Sequence, residues 1–96
     1  MYKALLLLLL FSSVSVKSQT LAGVVYGAES TVKGAAVRNL TQEILTYTNE
    51  DGEFKISAKI GDSLAFGSLF HLTKTYTVKK LDFNQKLVIE LTKILN

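Results

Sequence analysis

Apolar and polar positions alternate with a period of two along most of this chain. In 53–59, Phe54, Ile56 and Ala58 fall on one face and Glu53, Lys55, Ser57 and Lys59 on the other. Successive strand side chains point to opposite sides of a sheet, so this segment reads as a half-buried antiparallel β-strand. Just before it, Thr48-Asn49-Glu50-Asp51-Gly52 reads as a tight turn. Asn49 and Asp51 can bond their own backbone, and Gly52 accepts a positive φ without steric cost. Gly61-Asp62 marks the next turn, after which Leu64 and Phe66 reopen the pattern. The same reading predicts strands over 21–26, 35–40, 44–48, 53–59, 63–69, 73–78 and 86–92. The first of these, LAGVVY, is apolar nearly throughout, which suits a strand covered on both sides. Val37 points inward and Arg38 outward in the second, ILTYT is rich in β-formers, and Leu87, Ile89 and Leu91 share one face of the last. Between them, 27–34 is a polar loop and 79–85 loops back. Short strands roughly ten residues apart predict an all-β fold, a seven-stranded antiparallel β-sandwich. No proline interrupts a strand, so protection of exposed edges falls to lysines and Gly67.

The first eighteen residues have a different pattern. Lys3 supplies a short positive region, and Ala4 to Phe11, with six consecutive leucines, form an apolar run with no polar face. Small and polar residues follow to Ser18. This is the outline of a secretory signal peptide, with cleavage between Ser18 and Gln19. The run is far short of the roughly 20 apolar residues a membrane span needs. The expected division is therefore a signal peptide over 1–18 and a single β-sandwich domain over 19–96, with no transmembrane span in the mature chain. Export to the periplasm, to the outer membrane or to the medium follows.

Composition changes the picture in two ways. The chain has no cysteine, which excludes a disulfide framework, a thiolate metal site and a lipid-bearing cysteine after the leader. An exported small domain without disulfides must rest on its packed core. The net charge of +3 owes much to the leader: without Lys3 and Lys17 the basic count falls from 11 to 9 against 8 acidic residues. The remaining basic residues are scattered, with no aromatic-flanked stripe, so nucleic acid is not an expected partner.

Candidate chemistry is thin. Asn49, Asp51 and Glu53 alternate oxygen-bearing side chains around Gly52, but a calcium loop of the EF-hand type needs a bidentate glutamate six residues after its glycine, and Ala58 stands there. His71 is the only histidine, read as a loop residue packed beside Phe70; Asp62 is the acid that could approach it. Catalysis or metal binding by one imidazole needs partners. Ser63 and Ser68 lack the Gly-x-Ser-x-Gly elbow of a serine nucleophile. Asn39-Leu40-Thr41 fits the glycosylation sequon, here read as chance. Tyr26, Tyr47 and Tyr76 fall in strands, where aromatics fill a core or a cross-strand pair, or form a solvent-facing row that binds a sugar or peptide. The polar Thr73–Val78 segment suits an exposed edge that pairs with a partner strand. No catalytic residue, no cofactor-binding residue and no metal ligand is expected, and no cofactor.

Several motifs together resemble the carboxypeptidase regulatory-like domains of Bacteroidetes envelope proteins, within the transthyretin-like (prealbumin-like) sandwiches. They are Gly23-Val24-Val25-Tyr26 through Lys33-Gly34-Ala35-Ala36-Val37, then Thr48-Asn49-Glu50-Asp51-Gly52-Glu53-Phe54, and Gly61-Asp62-Ser63-Leu64-Ala65-Phe66. The likeness spans 21–91. Ser68-Leu69-Phe70-His71 departs from it, lacking the family's glycine. The resemblance implies a non-catalytic module, a binding or spacer domain of the cell envelope whose partner is a protein or glycan. It also admits two alternatives: the N-terminal extension of an outer-membrane TonB-dependent-type transporter, since many family members continue where Lys93-Ile94-Leu95-Asn96 stands, or a carbohydrate-binding module. The transthyretin-like fold also hosts hydroxyisourate hydrolases, but their Tyr-Arg-Gly-Ser end and catalytic histidines have no counterpart here.

Overall fold

The computed structural model describes residues 17–94. The expected leader, 1–18, lies outside them except for Lys17 and Ser18. The described chain is all-β, with strands β1 (Gln19–Tyr26), β2 (Ala36–Asn39), β3 (Ile44–Tyr47), β4 (Glu53–Ala58), β5 (Ser63–Ser68), β6 (His71–Thr77) and β7 (Leu87–Glu90), and one 3-10 turn over Lys80–Phe83. They form two sheets in a β-sandwich-like arrangement, with strand orders β4-β1-β7 and β3-β2-β5-β6.

The alternation read from sequence places the core. Leu21 and Val25 of β1, Phe54, Ile56 and Ala58 of β4, and Leu87, Ile89 and Leu91 at β7 are buried from one sheet. Ala35, Val37, Leu64, Phe66 and Val78 meet them from the other. The contact is direct at the centre, where the Phe54 and Phe66 rings tilt at 59° with centroids 5.4 Å apart, an edge-biased packing that aromatic quadrupoles favour. Phe54 pairs with Gly23 across the ladder, and its ring fills the space a side chain there would take: a Cβ on Gly23 would lie 2.5 Å from the Phe54 ring.

One expectation is corrected. The sheets are not wholly antiparallel, because β1 and β7 run parallel, with Gly23 opposite Leu87 and Tyr26 opposite Glu90. Parallel neighbours need a long crossover. Here almost the whole chain intervenes, and the 3-10 turn returns it from β6 to the first sheet. Period-two patterning carries no strand direction, so nothing in residues 86–92 distinguishes the two arrangements. A smaller correction concerns His71, which opens β6 rather than sitting in a loop.

β6 ends as an edge. Its first residues are covered, since Leu72 N–H donates to Thr92 O (2.8 Å) and Ile94 N–H to Phe70 O (2.9 Å). Farther along, Val78 turns toward β5, donating to Asp62 O and accepting from Gly61 N–H. Two-residue alternation then aims the backbone groups of Thr75 and Thr77 away from the sheet.

Candidate functional site

The buried polar side chains hold turns together. Asn39, fully buried at the end of β2, donates through Nδ2 to Ser57 O (3.0 Å) and to Asp62 Oδ2 (2.8 Å). Its Oδ1 accepts from Thr41 N–H and Gln42 N–H, which closes the β2–β3 turn. The sequon amide is therefore committed to the fold. Asp62 Oδ2 also accepts from Gln42 Nε2 (2.6 Å) and Lys59 N–H (2.9 Å). Burial by itself raises the Asp62 pKa, but the hydrogen bonds from Asn39, Lys59 N–H and Gln42 outweigh it and hold the carboxyl below its ordinary value. Asp62 is thus the partner of Asn39 and not of His71. Thr48 plays the same part at the next turn, accepting from Ala35 N–H (2.8 Å) and donating to Val32 O.

The oxygen-bearing side chains around Gly52 serve the turn in the same way. Asn49 Oδ1 accepts from Asp51 N–H and Glu53 N–H, both at 2.9 Å, and the Glu53 carboxylate takes Lys86 Nζ at 2.8 Å. The hydrogen bond and charge of Lys86 hold Glu53 below its ordinary pKa and raise Lys86 in turn. Among the described residues no group of three His, Asp or Glu side chains is arranged to hold a metal ion.

His71 does acquire a partner that spacing alone did not reveal. Ser68 and His71 face each other across the β5–β6 turn, with Oγ 2.6 Å from Nδ1. Phe70 N–H donates to the same Oγ (3.3 Å), so the hydroxyl bridges the turn backbone and the imidazole ring. Nε2 packs against the Gly27 backbone, where an added Cβ would come within 2.9 Å of it. A serine nucleophile needs a base held by a third group; here both side chains close a two-residue turn, Leu69-Phe70, that contains no glycine. Neither Leu69 nor Phe70 has positive φ, and a register shift between Phe66 and Ser68 accompanies the turn.

The three strand tyrosines do not form a row. Tyr26 lies in the first sheet, Tyr47 at the edge of the second with 59% of its surface exposed, and Tyr76 turns inward toward Asp82. The Tyr76 hydroxyl donates to the buried Asp82 carboxylate (2.8 and 2.9 Å), which also accepts Lys79 N–H (2.7 Å). Burial, then the hydrogen bond to Asp82 and its charge, push the Tyr76 phenol up to about 12. A raised folded-state pKa stabilises the fold fully below the ordinary value of 10.0 and is lost as the pH climbs toward about 12. We expect the urea midpoint to fall over that alkaline window, and Asp82→Asn to move the phenolate absorbance step to lower pH. A flat midpoint across the window would contradict this arrangement.

Two open surfaces among the described residues bear on partner binding. One is the β6 edge at Thr75 and Thr77. The other is the outer face of β3-β2-β5-β6, where Ala36, Ala65 and Gly67 floor a shallow depression of about 380 Å³ rimmed by Arg38, Tyr47, Leu69 and Thr73. Arg38 and Tyr47 were each legible as strand residues. Their meeting over a floor of small residues depends on β2 lying between β3 and β5, which no local pattern states. Among the described residues no helix is long and apolar enough to cross a membrane. No family model matches the chain, and no curated protein matches it.

Proposed function

We propose that this chain is an exported, non-enzymatic β-sandwich module of the carboxypeptidase regulatory-like kind, serving in the bacterial cell envelope as a binding or spacer domain. The observation that carries the reading is the use made of the polar residues. Asn39, Thr48, Asp62 and Asp82, the buried polar and charged side chains, all close turns. Ser68 and His71, the pair closest to a reactive geometry, close another. The motif residues behind the family resemblance are thus folding residues, as suits a rigid scaffold whose loops, edge and outer face meet a partner. The leader pattern of 1–18 supports export.

Cell fractionation with mass spectrometry of the product tests this. The expected result is a polypeptide beginning at Gln19 in the envelope or medium. Recovery of the uncleaved chain from the cytoplasm would remove the proposal.

A further inference from the structure

We propose that the outer face of β3-β2-β5-β6 binds an anionic saccharide, with Tyr47 and Arg38 as its recognition pair. The inference rests on the binding-module reading and gives it a ligand class and a place.

The register builds the site in two rows. Tyr47, Ala36 and Gly67 lie side by side across β3, β2 and β5, and Leu45, Arg38, Ala65 and Thr75 form the next row. Tyr47 and Arg38 are therefore diagonal neighbours on one face, a spacing of roughly 7–8 Å that long side chains bridge. Solvent-facing strand positions usually carry larger side chains. Here the two central strands present alanine, alanine and glycine, so the floor is low and apolar while the ring and the guanidinium stand at its rim. A depression of about 380 Å³ is within the range of small-ligand sites.

The charge on this face is one-sided. No acidic residue lines the depression. Among the described residues Arg38 makes no ion pair; Glu43 shares with it only the separate hollow beside Leu40 and Leu45. A guanidinium presents a planar fork of donors that matches a carboxylate in two parallel bonds. Tyr47 offers a ring face with a polar tip, and no hydrogen bond within the described protein ties that tip down.

A saccharide fits this surface better than a peptide does. A sheet's backbone groups lie in its plane, so a peptide laid on the face would leave its own N–H and C=O groups unpaired over alanine and glycine. A sugar ring has a C–H face and a rim of hydroxyls. Its C–H face rests on the Tyr47 ring and the small floor, its hydroxyls meet Thr73 and water, and a ring carboxylate takes Arg38.

Calorimetric titration of the protein purified from the cells that produce it provides the test, with trigalacturonate, neutral cellotriose and a hexaglutamate peptide as probes. Trigalacturonate is expected to bind at least about tenfold more tightly than cellotriose, the size of a charge-assisted hydrogen-bond contribution. Arg38→Gln should reduce it to the cellotriose level, and Tyr47→Ala should weaken both sugars. Both side chains are exposed, so unchanged urea midpoints show that the variants fold. Equal binding of the two sugars overturns the anionic preference. Hexaglutamate binding as tight as trigalacturonate overturns the saccharide class, and indifference to both substitutions overturns the site. No binding by any probe overturns the inference but leaves the exported module standing, which falls only on the fractionation result above.

Discussion

Gly52→Ala is expected to destabilise the fold by about 2–5 kcal/mol, a large share of the roughly 5–15 kcal/mol that holds a small domain together. Two separate costs combine. Gly52 has φ +78°, where an alanine side chain meets its own backbone, at a cost of roughly 1–2 kcal/mol. Its surroundings are also full: an added Cβ would lie 2.6 Å from Thr31 Cβ, 3.0 Å from Val25 O and 3.2 Å from Val32 N. Overpacking of this kind costs roughly 1–3 kcal/mol more. The crowding arises because the β3–β4 turn docks on β1, with Val25 N–H donating to Gly52 O at 2.8 Å and Val32 N–H to Val25 O at 2.9 Å. Gly61 separates the two costs. It has φ +92°, but nothing stands within 4 Å of its Cβ position. Gly61→Ala should therefore lose only the backbone part, about 1–2 kcal/mol. Urea midpoints for the two variants decide the matter, and equal losses would mean that the docking of the turn imposes no constraint.

This contrast marks how far the sequence reaches. Thr48-Asn49-Glu50-Asp51-Gly52 announces a turn, and positive φ at Gly52 follows from turn chemistry. That residues 31 and 32 close over that glycine does not, because the loop 27–34 carries no periodic signal. The same division runs through the fold. Alternation in 53–59 and 86–92 placed Phe54, Ile56, Ala58, Leu87, Ile89 and Leu91 in the core, where they are buried. Strand direction was invisible, since a period of two reads the same both ways, and the parallel β1–β7 pair went unforeseen. At the surface, Arg38 was legible as outward. Its neighbours Ala65 and Tyr47 come from strands that only the tertiary pairing brings beside it. Asn39 shows the same limit: the sequon, read as chance, is a local string, whereas the amide's partner Asp62 stands 23 residues away.

Asp62→Ala should cost about 2–4 kcal/mol, because deleting a buried acceptor leaves its donors unpaired at roughly 1–3 kcal/mol each, offset where water can reach them. Three donors converge on one oxygen: Asn39 Nδ2, Gln42 Nε2 and Lys59 N–H. Gln42 is half-buried and regains water, while Lys59 N–H loses the side-chain bond that closes the β4–β5 turn. Asn39 keeps Ser57 O for one of its two amide protons. Since Asn39 and Asp62 serve each other, the double alanine variant should lose less than the sum of the single losses. The charge gives an independent check. A folded-state pKa below the ordinary 3.8 means that the unfolded chain takes up the proton first as the pH falls. The stabilisation is complete above that value and drains away as the pH drops through the lowered folded value. Urea midpoints of the parent should therefore decline between about pH 5 and about pH 2 by more than those of Asp62→Asn, which has no charge there to lose. Parallel declines in the two proteins, together with additive losses in the alanine pair, would break the link between the two turns.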